Sequence, residues 1–139
     1  MRRVFHPVLA AVAIAIGAAG CDSGSPTTPT PPPPAATVTD TFSGSITVNG
    51  AMTFSFASLA AGPLTAQIIS LTPDGTVTVG FSIGTFNGTT CQVTLANDSA
   101  ILGTTILGNI NGSGLFCARI HDVGKLTDTT TFEITVTHP

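Results

Sequence analysis

Tryptophan and tyrosine are missing from this sequence altogether, and its 139 residues include only 4 lysines and arginines. Each shortage counts against a function class. Secreted sugar-binding domains stack pyranose rings on exposed aromatic side chains, and here that platform has to come from 8 phenylalanines, most of them in the phase of a buried core. Phe86, next to Asn87, is out of that phase and is the one candidate for exposure. With no Lys/Arg cluster there is no electrostatic footprint for nucleic acid or for anionic lipid. From Cys21 onward two basic residues, Arg119 and Lys125, face seven acidic ones, a balance of −5 with histidine neutral. The apolar run from Val8 to Gly20 stops at 13 residues, short of the roughly 20 needed to cross the hydrocarbon of a bilayer.

What is present begins at the N-terminus. Arg2 and Arg3, then the apolar run "VLAAVAIAIGAAG", have the layout of a secretory signal that is removed after export. Ala18, Ala19 and Gly20 immediately before Cys21 resemble the lipobox of bacterial lipoproteins, in which the cysteine is diacylated and becomes the new N-terminus. Ala18 stands where that family more often has Leu, and an ordinary signal peptide with Cys21 as a bystander is the competing reading. The resemblance implies that Cys21 is a lipidation site and that the membrane is a partner through its acyl chains, each buried CH₂ adding about 0.8 kcal/mol of affinity. It also implies a place in the bacterial cell envelope, anchored to a membrane and facing the periplasm or the cell exterior. Asp22 resembles the inner-membrane retention signal of enteric bacteria, a rule that other bacteria do not share, so the choice of membrane stays open.

Residues 21–39 hold six prolines (Pro26, Pro29, Pro31, Pro32, Pro33, Pro34) among Ser, Thr, Gly and Ala, with no large apolar side chain before Val38. Such a segment cannot bury a core and is expected to be disordered and extended, at about 3.1 Å per residue, a reach on the order of 50 Å. It reads as a spacer between anchor and domain; a proline-rich ligand for a recognition domain is the weaker alternative. The expected organisation is a signal peptide over 1–20, a lipid-anchored linker over 21–39 and one folded domain over 40–139.

Within that domain apolar residues recur with period two: Met52, Phe54 and Phe56; Val77, Val79, Phe81 and Ile83; Phe132, Ile134 and Val136. Alternation of this kind puts one side-chain set on a core and the other on solvent. Turn residues separate the runs, at Asn49-Gly50, Ala61 to Pro63, Pro73 to Gly75, Asn87-Gly88 and Asn111 to Gly114. The pattern predicts about eight strands, over 41–47, 51–57, 64–71, 76–86, 91–96, 104–110, 115–122 and 131–137. The expected fold is all-β, an antiparallel β-sandwich of the jelly-roll or immunoglobulin-like kind. In "LTAQIISL" the phase changes at Ile68-Ile69, which predicts a bulge or a strand that turns a corner between sheets.

Setting Cys21 aside leaves Cys91 and Cys117, and a cysteine pair in an exported protein usually oxidises. A disulfide closing this loop stabilises by about 3.5 kcal/mol in the chain-entropy model. Alternation raises an objection, because Cys91 shares a phase with Val93 and Leu95 while Cys117 is out of phase with Phe116, Ala118 and Ile120. The bond is easiest if Cys91 sits at the strand start, just after "NGTT". Metal binding is the alternative, and two thiols without a nearby His make a poor zinc site.

The stretches "TFSGSI", "GTFNGTTCQV" and "GLFCARIHDVGKLTDTTTFEITV" resemble the bacterial pre-peptidase C-terminal domain, a β-sandwich module carried by secreted proteases and other exported proteins. The resemblance implies service to an exported hydrolase. No peptidase precedes the domain here, so any client is expected outside this chain.

For chemistry the domain offers His121, His138 and one dense polar cluster, Arg119, His121 and Asp122 in "RIHD". Alternation places Arg119 and His121 together, opposite Ile120, and the cluster is a candidate weak anion or carboxylate site; its plainer reading is a solvated strand face with Asp122 opening a turn. Catalysis needs a nucleophile, a base and an orienting group, and no such set is evident, so no enzymatic activity is expected. Asp74 and the group Asn97, Asp98 and Ser99 offer oxygen donors of the calcium-binding type, but no Asp-x-Asp-x-Asp-Gly loop occurs, and neither a metal nor another cofactor is expected. The sequons "NGT", "NDS" and "NGS" are rarely used in a bacterial lipoprotein. The expected function is that of an envelope lipoprotein carrying a non-catalytic interaction or structural module, with an envelope protein as partner; the alternative is an accessory or substrate-targeting domain for an exported hydrolase.

Overall fold

The computed structural model describes residues 28–139. The expected signal peptide, Cys21, Asp22 and the first part of the expected linker lie outside the described residues. Two units divide the chain, Met1–Pro32 and Pro33–Pro139. In the first, residues 28–32 have no regular secondary structure and are exposed. All the strands of the described residues belong to the second.

Eight strands follow in order: β1 (Val38–Ile46), β2 (Ala51–Ser58), β3 (Gly62–Thr72), β4 (Val79–Phe86), β5 (Cys91–Ala100), β6 (Thr105–Ile110), β7 (Gly114–Asp122) and β8 (Thr130–His138). They form two four-stranded antiparallel sheets, β1-β8-β3-β6 and β2-β7-β4-β5, so the chain is an all-β sandwich. First strand pairs with last, second with seventh, third with sixth and fourth with fifth. That nesting is a long hairpin rolled up on itself, the jelly-roll arrangement rather than the immunoglobulin one. Of the turns expected to join neighbouring strands, only Asn87-Gly88 closes a hairpin within one sheet, between β4 and β5. The Asn49-Gly50 turn, with Asn49 at φ 59°, instead carries the chain from the first sheet to the second.

Alternation builds the core. Ile46, Leu64, Ala66, Ile68, Phe132, Ile134 and Val136 from the first sheet meet Phe56, Val79, Phe81, Ile83, Ala118 and Ile120 from the second. Each large side chain buried there contributes about 1.5–3 kcal/mol. The first sheet alternates cleanly, and its outward residues fall into register: Thr39 opposite Thr137 opposite Thr65, and Thr41 opposite Thr135 opposite Gln67. The phase change at Ile68-Ile69 is a bulge: the β3–β8 register slips between Ile68 and Ser70, leaving Ile69 exposed, and β3 stays in one sheet. β1 starts at Val38, inside the segment expected to be linker, because Val38 and Thr39 continue the ladder opposite His138 and Thr137.

β5 departs most from expectation. It runs to Ala100 instead of 96, and Val93 and Leu95, expected in the core phase, are 45% and 38% exposed. The reason is positional. β5 is an edge strand whose register against β4 slips between Ile83 and Gly84, so strict alternation no longer dictates which way its side chains face.

Candidate functional site

The outer face of the second sheet carries three rows of side chains across β2, β7 and β4. They are Ala51, His121 and Gly80; Thr53, Arg119 and Ser82; and Ser55, Cys117 and Gly84. Two of the β4 positions are glycine, and something lies against each. A Cβ on Gly80 would collide with the His121 ring, and one on Gly84 would collide with the Gln92 carbonyl and come within 2.8 Å of the Val93 Cα. The backbone at the start of β5 therefore presses on the outer face of β4, at a place where no side chain would fit.

Cys91 and Cys117 are joined in a disulfide with their Cα atoms 5.7 Å apart. Cys91 is on β5 and Cys117 on β7, the two neighbours of β4. Strands flanking a third normally lie about 9.5 Å apart, twice the strand spacing. The shorter distance means that the first residues of β5 have left the plane of the sheet and fold over it. This also resolves the conflict of phase: Cys117 points outward, Cys91 opens its strand, and they meet above Gly84.

The folded-over hairpin and the sheet enclose a groove of about 450 Å³. Thr53, Ser55 and Arg119 form its floor, and Phe86, Thr89, Thr90 and Cys91 its wall. The wall is braced by the turn, since the Asn87 side-chain oxygen accepts from the Thr89 and Thr90 N–H groups at 2.9 and 2.8 Å and the Asn87 amide donates to the Thr90 hydroxyl at 3.0 Å. Among the described residues the Arg119 guanidinium makes no ion pair and no side-chain hydrogen bond; only its backbone carbonyl is engaged, by Ser82 Oγ at 3.5 Å. Phe86 is half-buried, as befits a ring that lines a groove.

The "RIHD" cluster does not act as a unit. Arg119 reaches the groove. His121 lies over Gly80 in the next row, with Nδ1 buried and unpartnered and Nε2 3.7 Å from Asp98. Desolvation first, then the Arg119 charge, holds the imidazole below its ordinary pKa. Asp98 and Asp122 pull the other way without reversing the shift, Asp98 because it is largely exposed and beyond hydrogen-bond reach. Asp122 belongs to the loops: one carboxylate oxygen accepts from the Asn49 N–H at 2.8 Å, the other from Gly124, Lys125 and Leu126 at 2.8, 2.9 and 3.1 Å. Those donors, Asn49 foremost, hold its pKa down to about 2. It opens the turn after β7.

The remaining candidates are also engaged locally. His138 is buried against Phe56, with Nε2 3.1 Å from Asp40. Asp74 accepts from the N–H and hydroxyl of Thr76, and Asn97 from the Ser99 N–H. Among the described residues no serine or threonine hydroxyl bonds a histidine nitrogen, and no three His, Cys, Asp or Glu side chains are grouped to hold a metal. Thr53, Ser55, Thr89 and Thr90 escaped the sequence reading, as did their convergence with Phe86 on Arg119. The available signal was the pair Gly80 and Gly84, four apart and both in the outward phase, which marks a strand over which other parts of the chain must pass.

No family model matches the chain, and no curated protein matches it.

Proposed function

We propose that this chain is a cell-envelope lipoprotein, tethered through Cys21 by a proline-rich spacer, whose jelly roll is a non-enzymatic interaction module. The observation that carries the reading is the order along the sequence: an apolar run of 13 residues ending in Ala18-Ala19-Gly20, then Cys21, then six prolines in residues 21–39. The Cys91–Cys117 disulfide agrees with export to an oxidising compartment. The non-catalytic half draws support from how the titratable groups are used, with Asp122 capping loops, His138 tied to Asp40 and His121 sealed over Gly80. Fractionation of cells and the intact mass of the recovered protein test the anchor. A membrane-bound product carrying acyl chains on Cys21 is expected, and a soluble one with an unmodified thiol overturns it.

The accessory role beside an exported hydrolase is favoured by one feature, the groove on the second sheet, because a targeting domain needs somewhere to hold a substrate. A hydrolase gene next to this one, and altered processing of its polymeric substrate when this chain is deleted, are the outcomes that would prefer it.

A further inference from the structure

We propose that the groove between the second sheet and the β4–β5 hairpin binds an acidic sugar residue, with Arg119 taking the carboxylate and Phe86 one face of the ring. This deepens the interaction-module reading and rests on it.

Arg119 is one of two basic side chains from residue 28 onward, the other being Lys125 on the β7–β8 loop. A guanidinium presents five N–H donors in a planar fork that matches a carboxylate. Arg119 lines a cavity, and among the described residues no carboxylate pairs with it. The carboxylates that lie against a basic group among the described residues face histidines instead, Asp98 3.7 Å from His121 and Asp40 3.1 Å from His138. A carboxylate arriving from outside would complete the fork.

The rest of the lining decides what else the ligand carries. Four hydroxyl-bearing side chains, Thr53, Ser55, Thr89 and Thr90, line the same groove as Arg119, and each hydroxyl can both donate and accept. That suits a ligand dense in hydroxyls better than a peptide terminus, which offers one carboxylate and a few amides. Phe86 supplies an apolar wall, the one aromatic face in the groove, against which the C–H face of a pyranose can lie. About 450 Å³ holds one or two such rings. A small site of this kind, open along the sheet, fits a residue within a chain of uronates.

The disulfide makes the site. It pins the start of β5, still paired with the end of β4, over the outer face of the sheet at Gly84, so Phe86, Thr89 and Thr90 line the groove together with Arg119.

Calorimetric titration of the full-length chain in detergent micelles tests the proposal with three probes: tetragalacturonate, the uncharged maltotetraose, and the tetrapeptide Gly-Gly-Ala-Ala with a free C-terminus. Binding of tetragalacturonate alone is expected. Arg119→Gln should weaken it by about tenfold to a hundredfold, the range for a lost charge-assisted hydrogen bond, and Arg119→Lys should recover part of the loss. Cys91→Ser with Cys117→Ser should weaken it while the circular dichroism of the sandwich persists. Equal binding of maltotetraose would overturn the role of the carboxylate, preference for the tetrapeptide would reassign the groove to chain termini, and no binding of any probe would overturn the site. None of these bears on the anchor. A lipid-modified, membrane-bound protein that binds nothing defeats only the ligand, and a soluble, unmodified one that binds tetragalacturonate defeats only the envelope reading.

Discussion

The two sheets of this sandwich are equal in strand number and contribute to one core, yet their outer faces differ in kind. The first, β1-β8-β3-β6, presents threonine and serine in cross-strand register, with Thr41, Thr135 and Gln67 in one row. The second, β2-β7-β4-β5, is interrupted by Gly80 and Gly84 and carries a disulfide, a histidine with a buried nitrogen, and an arginine that has no side-chain partner among the described residues. A solvated face needs only residues that suit a pleated surface, so many sequences satisfy it. A face that must accommodate backbone, a ring and a cross-link requires specific side chains at specific positions, and those are where a binding site can be built.

The largest expected difference between the faces is therefore the disulfide. Replacing Cys91 and Cys117 by Ala should cost about 2–4 kcal/mol, read as a lower urea midpoint with a larger m-value, because it releases a closed loop and expands the unfolded chain. A loss below about 1 kcal/mol would mean that the hairpin holds its position over the sheet without the bond. Gly84→Val comes next. Its side chain would run into the β5 backbone at Gln92 and Val93, and overpacking of this sort costs about 1–3 kcal/mol. The variant should also form the Cys91–Cys117 bond more slowly on oxidative refolding, followed by the rate of thiol loss. The same substitution at Gly112, around which nothing lies within 4 Å, should leave that rate alone.

The contrast between sheets also governs what the sequence revealed. Strand positions and the all-β architecture followed from period-two alternation, and the bulge at Ile69 from a single doubled apolar pair, because wherever one face is buried the pattern records it directly. The cysteine pairing followed from number and compartment. The groove did not, since β5 is an edge strand whose register against β4 slips and whose start folds over the sheet, and alternation does not record where such a strand bends. The grouping of Arg119, His121 and Asp122 was half legible for a related reason. Strand phase correctly put the first two on one face, whereas Asp122 answers to loop amides that no local pattern encodes.

Acid should separate these three residues by titration. The folded chain holds His121 below its ordinary value near 6.5, so between those two pKa values the unfolded chain binds more protons. Its contribution is complete above about pH 6.5 and declines as pH falls below that. Asp122, at about 2 when folded against about 3.9 unfolded, contributes fully above about pH 4 and loses that contribution as pH falls toward 2. Urea midpoints measured from pH 7.5 to 2 should fall in two steps. His121→Gln should remove the upper one and Asp122→Asn the lower, because neither amide side chain titrates in this range. A single step at low pH that His121→Gln leaves untouched would show that the ring is more hydrated than its place over Gly80 implies.

The smallest effect belongs to the first sheet, and it is the control for all the others. Thr41→Val on β1 exchanges a hydroxyl for a methyl of the same shape on an exposed, edge-strand position, and valine is as good a strand residue as threonine. Its row neighbour Thr135 faces the same solvent, so no buried donor is orphaned by the change. The stability should stay within about 0.5 kcal/mol, as surface substitutions generally do, and binding of tetragalacturonate should not move. A loss above about 1.5 kcal/mol, or a change in solubility or sedimentation on this substitution, would mean that the threonine face is covered in solution by a second molecule, and the asymmetry between the sheets would then lie in what each one binds.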